Sequence, residues 1–218
     1  MQREGKLLKP LVEDGKIKIY LHVSDLFAEN SWFVLIDTSL FLIDPGRGSR
    51  SYLEELKNKE HIDMIQVLLT HAHVDHIHDL MAINSEKIYL HPAEKRILLD
   101  PSLNLFEQLS ISTAFSEQIN FEEPEKLRSE WKAIHTPGHT PGSTCYLLVD
   151  SYLFTGDTVF ADSIGRTDLP GGNWEEMESS IKLLTQLLQK KPDLLIFPGH
   201  GPVATAKHIL KENPFFSQ

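Results

Sequence analysis

Thr70-His71-Ala72-His73-Val74-Asp75-His76 follows directly on the apolar run Val67-Leu68-Leu69, so three histidines and a carboxylate fall just past the end of an expected strand. In an extended segment, side chains two apart share a face, which lets His71 and His73 grip one ion. Asp75 and His76 come where the chain is expected to turn into a helix, and they aim elsewhere. The stretch therefore offers two ligand sets side by side and predicts two metal ions. Packing these groups at a strand end without a cation would leave each in need of a hydrogen-bond partner, whereas a cluster this dense is a ligand signal. The chain has eleven histidines, and the isolated His22, His61, His78, His91 and His208 read as ordinary surface or core residues.

Three more ligand-type residues sit beside glycines near the ends of apolar runs. His139 lies in His135-Thr136-Pro137-Gly138-His139-Thr140-Pro141-Gly142, Asp157 follows Phe154-Thr155-Gly156, and His200 lies in Pro198-Gly199-His200-Gly201-Pro202 after Leu194–Phe197. Alone, each reads as a turn residue. Together they complete a stoichiometry: His71, His73 and His139 around one ion, Asp75, His76 and His200 around a second, and Asp157 bridging. Each ion would keep an open position, as catalytic rather than structural sites do.

This set resembles the metallo-β-lactamase superfamily, through the strand-end HxHxDH at 71–76, the Gly138-His139 loop, the Thr155-Gly156-Asp157 turn and Gly199-His200, over about residues 30 to 202. The resemblance implies an α/β fold, a four-layer αββα sandwich of two mixed β-sheets with flanking helices and the metals at one edge between the sheets. Thr155–Phe160, Ile164-Gly165-Arg166-Thr167-Asp168-Leu169-Pro170-Gly171-Gly172 and the ending Gly199–Pro202 with Asn213-Pro214-Phe215 look like short bacterial glyoxalase II-like hydrolases. β-Lactamases of the commonest class carry a cysteine where Asp157 stands, which disfavours antibiotic hydrolysis. Full-length glyoxalase II has a C-terminal helical domain that helps hold glutathione, but only residues 201–218 follow His200 here. The expectation is one domain over 1–218, with no separate C-terminal substrate domain.

Composition narrows the classes. The hydrophobic fraction of 41% supports a sizeable core. The net charge is −10, with no Lys/Arg-rich stretch, which disfavours nucleic acid. Cys145 is the only cysteine, which excludes an intramolecular disulfide and a cysteine-based metal motif, and it reads as a small buried residue. The first fifteen residues have no apolar core of signal-peptide type, and the longest apolar runs are strand-length. A cytoplasmic protein with a small-molecule substrate is expected; the oligomeric state is not legible.

The element pattern reads as strands at Ile17–His22, Ser31–Ile36 and Leu40–Ile43, a helix at Ser51–Asn58, strands at Gln66–Thr70 and Lys87–His91, and a helix at Ala93–Leu99. Residues 100–130 suggest one or two short helices over the cleft. Strands then follow at Trp131–Ile134, Ser143–Val149 and Tyr152–Phe154, and Asn173 is expected to N-cap a helix running to about Gln189. Leu194–Phe197 reads as the last strand.

The expected chemistry is thioester hydrolysis by a metal-bridging hydroxide, with two divalent ions acidifying water and polarising the carbonyl. Asp75 is the candidate catalytic carboxylate that takes up the proton. Zinc is the first choice of ion, and iron or manganese suits the same ligands. Arg166 is the candidate for gripping a substrate carboxylate, against a plain pair with Asp168 or Asp162 that orders its loop. His135 reads equally as a partner to a metal ligand or as a strand-end residue. The rival readings are a persulfide dioxygenase, a lactone or other ester hydrolase, and a non-enzymic metal-binding module. The dioxygenase family shares the fold and uses one iron on the residues matching His71, His139 and Asp157.

Overall fold

The computed structural model describes residues 8–111, 115 and 119–217. Its first half forms a six-stranded sheet from β1 (Val12–Asp14), β2 (Ile17–Val23), β3 (Asn30–Ile36), β4 (Ser39–Ile43), β5 (Met64–Leu68) and β6 (Lys87–Tyr89), paired in chain order. The second half forms a five-stranded sheet ordered β11-β10-β9-β8-β7, from β7 (Trp131–His135), β8 (Thr144–Leu148), β9 (Tyr152–Gly156), β10 (Leu195–Pro198) and β11 (Ala204–Thr205). Both sheets are mixed: β4, β5 and β6 run parallel, as do β9 and β10, while the remaining pairs are antiparallel.

Alternation within the strands stacks the layers, because successive side chains point to opposite faces. Phe41 and Ile43 of β4 turn inward with Trp32 and Val34, meeting Tyr146, Leu148, Phe154 and Phe197 of the second sheet. Leu40 and Leu42 point the other way, onto α1 (Ser49–Lys57), the short α2 (Val74–Ile77) and α3 (Lys95–Leu99) through Leu53, Leu56, Ile77 and Ile97. On the far side, Cys145, Leu147 and Leu153 pack on α4 (Trp174–Lys190) and α5 (Ala206–Glu212) through Met177, Ile181, Leu184 and Ile209. The central strands are buried on both faces, so they read as continuous apolar runs rather than half-polar ones. The result is the expected four-layer α/β sandwich.

Several details differ from expectation. Leu194–Phe197 is not the last strand: β11 and α5 follow, and the Thr205 side chain caps α5 by accepting from His208 N at 3.1 Å. The expected helix at 93–99 divides into a 3-10 turn, Pro92–Glu94, and α3. Between 100 and 130 the described residues contain turns and one 3-10 helix, Pro124–Lys126. Residues 112–114 and 116–118, part of the expected cleft helices, lie outside the described residues. Asn173 caps α4 as expected, its Oδ1 accepting from Glu176 N at 3.1 Å. Among the described residues, no helix is long and apolar enough to cross a membrane.

Candidate metal centre

The HxHxDH stretch is locked in place past the end of β5, an inner strand of its sheet, by a residue that reads locally as a turn. Asp44, just past β4 and 1% exposed, accepts from Thr70 N at 2.8 Å and from Thr70 Oγ1 at 2.6 Å. The second sheet holds the same loop, Thr144 N donating to Thr70 O at 2.9 Å and Tyr146 OH to Leu69 O at 2.9 Å. His73 stands at the N-cap of α2, so His71 and His73 precede the helix while Asp75 and His76 lie within it. That change of conformation divides the motif between two directions.

Two triads result. Ligand atoms of His71, His73 and His139 lie within 4.8 Å of one another, as do those of Asp75, His76 and His200. His73 Nδ1 and His139 Nε2 are 2.9 Å apart, somewhat closer than the roughly 3.3 Å separating two nitrogens on one tetrahedral ion. Asp157 spans the groups, with Oδ1 3.2 Å from His76 Nε2 and Oδ2 3.7 Å from both His139 Nε2 and His200 Nε2.

The outer nitrogens of His71, His76, His139 and His200 are spoken for, and the inner Nε2 atoms of His71 and His76 are not. His76 Nδ1 donates to Asp44 Oδ2 at 2.9 Å, His139 Nδ1 to the Arg166 carbonyl at 2.7 Å, and His200 Nδ1 to the Ala28 carbonyl at 3.2 Å. Because Thr70 Oγ1 donates to Asp44, it accepts from His71 Nδ1 at 3.1 Å. These bonds set the tautomers that leave Nε2 bearing a lone pair, as outer partners of metal-binding histidines do. His71 Nε2, His73 Nε2, His76 Nε2 and Asp157 Oδ1 are buried without a hydrogen-bond partner. Orphaned buried polar atoms are costly, and four of them in one His/Asp cluster fit a divalent cation. Asp44 also lies near His71 and His76, but its oxygens are taken by Thr70 and His76, so it orients ligands rather than joining them.

Electrostatics divide the cluster, keeping two imidazoles neutral and drawing positive charge to a third beside the carboxylates. Burial, reinforced by the neighbouring imidazoles, holds His71 well below the usual histidine range and His73 down to about 3, so both stay neutral, the form that binds metal. Burial also works against a charged His76, but Asp157, Asp75 and Asp44 outweigh it and raise its pKa. Burial opposes ionisation of Asp157, yet His76 and the other imidazoles overcome it and hold the carboxylate ionised. Negative charge thus collects where the imidazoles converge. Backbone geometry admits little else: a Cβ on Gly199 would sit 2.3 Å from Asp157 Oδ1 and 2.7 Å from His76 Cε1. Gly138, at φ +138°, would place a Cβ 2.4 Å from the Met177 backbone, so the loop carrying His139 lies directly on α4.

Glu94 and Glu29 are site residues that sequence reasoning missed. Glu94, fully buried, accepts from Ala72 N at 3.0 Å, Thr140 Oγ1 at 2.8 Å and Gly142 N at 2.8 Å. It ties the loop of His71 and His73 to the loop of His139. Glu29, also fully buried, accepts from Ser31 Oγ and pairs in a β-bridge with His200. Burial first, with help from Asp44 and Asp75, raises its pKa well above the ordinary value. For Asp44 a signal existed: it follows an apolar strand and precedes a glycine by two, much as Asp157 follows its own strand. Glu94 offered none.

The other candidates fall out plainly. The Arg166 guanidinium binds Asp168 with both arms at 2.7 Å and is 62% exposed, while its backbone carbonyl serves His139. His135 stacks on His91 at 3.9 Å and bonds the Pro141 carbonyl at 2.8 Å, next to the His139 loop. Cys145 is fully buried, and burial lifts its thiol to about 11.

The family model described as the metallo-beta-lactamase superfamily matches residues 24–200. A probable metallo-hydrolase of Streptococcus pyogenes serotype M6 is 30% identical, covering 92% of this chain and 90% of the relative. The hydroxyacylglutathione hydrolase GloC of Haemophilus influenzae is 30% identical over 81% of this chain and 86% of its own. Among solved structures, the BLEG-1 B3 metallo-beta-lactamase superposes with a TM-score of 0.74 at 30% identity, over 92% of this chain and 100% of that one. Sheet order, histidine placement and these matches agree, and the chain belongs to the metallo-beta-lactamase superfamily.

Proposed function

We propose that this chain is a metal-dependent hydrolase that cleaves thioesters at a two-ion centre. His71, His73 and His139 would hold one ion, Asp75, His76 and His200 the other, and Asp157 would be shared. The observation that supports this reading is the pair of triads that Asp157 spans, within which the Nε2 atoms of His71 and His76 lie buried without a hydrogen-bond partner. Zinc is the first candidate, with iron or manganese suited to the same donors. When bound, such ions supply Lewis-acid activation of water and of a carbonyl.

The protein's own groups orient and handle protons. Asp44, the Arg166 carbonyl and the Ala28 carbonyl keep the Nε2 lone pairs of His76, His139 and His200 aimed inward. Asp75, whose Oδ2 lies 3.1 Å from His200 Nε2 and which lines the cavity, would take the proton released as water attacks. A thiolate leaves without help from an acid because its conjugate thiol has a pKa of about 8.5. The resemblance to a hydroxyacylglutathione hydrolase favours this substrate class. A mononuclear dioxygenase on His71, His139 and Asp157 would leave His73 Nδ1, beside His139 Nε2, and the buried Nε2 of His76 idle. Similarity to a B3 β-lactamase favours β-lactam hydrolysis as the second reading.

Metal analysis and turnover on one preparation test the proposal. About two ions per chain and hydrolysis of S-D-lactoylglutathione or another thioester are expected. One iron per chain with oxygen uptake on glutathione persulfide would replace it with the dioxygenase. Hydrolysis confined to nitrocefin would replace it with the lactamase. A second result concerns Arg166. Its guanidinium is exposed and already paired, and its carbonyl survives truncation, so Arg166→Ala is expected to change kcat/KM by less than about threefold. A loss beyond about tenfold, carried by KM, would make the side chain a substrate contact.

A further inference from the structure

The cavity over the ligands has a second, apolar wall. It is an open cleft of about 400 Å³, and beyond the His/Asp cluster it is lined by Leu105, Phe160, Ile164 and Leu169, with Gly165 and Arg166. The four apolar side chains are half-buried. Leu105 comes from the segment after α3, and the other three come from the segment after β9, so the wall is assembled across the fold rather than from one amphipathic element. Phe160 stands edge-on to His200 with ring centroids 6.1 Å apart. Arg166 is the one Lys or Arg among the described lining residues, and Asp168 already holds it.

Leu105 carries the stronger signal. Its backbone is left-handed, φ +73°, a conformation that favours glycine or asparagine over leucine. Its neighbours impose it. Asn104 is buried, donates from Nδ2 to the Leu98 carbonyl at 2.9 Å, accepts from Phe106 N at 3.1 Å, and offers its own carbonyl to Val74 N at 2.9 Å. Phe106 is fully buried against Phe115. With both neighbours pinned in the core, Leu105 sits at the core's margin and lines the cavity. Strain held in place by over-determined neighbours is characteristic of residues that serve a site, and here it holds an apolar side chain on the cavity wall.

We propose that this wall receives an uncharged, apolar acyl group and that Leu105 is a specificity-determining residue that sets its reach. The inference rests on the hydrolase reading above and deepens it: the preferred thioesters carry alkyl acyl chains rather than short hydroxylated ones.

The test uses S-acyl-glutathiones from acetyl to octanoyl, together with the D-lactoyl thioester, on metal-loaded protein. In parallel, the matching linear carboxylates are titrated calorimetrically. Each methylene that enters the wall is expected to raise kcat/KM and carboxylate affinity by about two- to fourfold until the cavity is filled, with lactoyl below propionyl. Leu105→Asn, which tolerates the same backbone, flattens that slope, and Ile164→Ala reduces it independently. A flat wild-type series, or a slope that both variants keep, would overturn the wall. No thioester turnover together with a chain-length-dependent carboxylate affinity that Leu105→Asn abolishes would retain the wall and remove the thioesterase reading instead.

Discussion

Asp157→Ala is expected to lose both ions and at least about a thousandfold in turnover, checked by metal content after gel filtration and by kcat on the best thioester. The expectation follows from position. Asp157 has oxygens within 3.7 Å of imidazole nitrogens in both triads, His139 on one side and His76 and His200 on the other. Without it, burial and the facing imidazoles act on one another with less negative charge to balance them, and a shared anionic donor is gone. Asp157→Asn separates charge from shape: it keeps the volume against Gly199, where there is no room to spare, and removes only the charge. Metal loss in both variants identifies the carboxylate as the shared donor. Full occupancy and turnover in Asp157→Asn would reduce Asp157 to a hydrogen-bonding residue and remove the shared carboxylate from the proposal. The fold itself should survive, because the core layers close without the cluster.

Much of this architecture was legible because its signals are local. HxHxDH declares itself by density, and the ends of β9 and β10 by an apolar run followed by glycine and a ligand-type residue. The Asn173 cap needs only its own first turn. What stayed hidden depends on distant partners or short elements. β1 is only Val12-Glu13-Asp14, too short and too polar to show a period, and β11 is two residues long. Asp44 sits in Asp44-Pro45-Gly46, where turn chemistry explains the residue well enough to mask its bonds to Thr70 and His76, 26 and 32 residues away. Leu105 shows nothing in sequence, since an apolar residue at positive φ looks like any other leucine until its backbone is seen.

Glu94 was the least legible of all, and its replacement is the second large effect expected. Beside Pro92 it reads as an ordinary helix-start acid, yet its side chain turns inward to three donors lying 22, 46 and 48 residues away. Ala72 stands between two candidate ligands, and Thr140 follows a third. Glu94→Ala leaves three buried donors unpaired at about 1 kcal/mol or more each, so a loss of stability of roughly 3–5 kcal/mol is expected by denaturant unfolding. Glu94→Gln is milder and more telling. Its carbonyl still serves Ala72, but its amide faces the Gly142 N–H, donor against donor. The two loops then lose their common tie, and metal retention in a chelator competition should weaken by about 10- to 100-fold.

A pH signature separates this tie from mere filling of space. Burial raises the Glu94 pKa to about 7 against the opposing pull of its three donors. Between about pH 4.5 and 7 the unfolded chain has therefore released a proton that the folded chain retains. Rising pH through that window favours the unfolded state by up to about 3 kcal/mol from this group, and the effect levels off above pH 7. The difference in unfolding free energy between wild type and Glu94→Gln, measured on metal-free protein, should carry that slope, because glutamine cannot ionise. A difference constant from pH 4.5 to 8 would mean that Glu94 is already ionised throughout, its donors having won over burial, and the tie between the histidine loops would then be a carboxylate at every working pH.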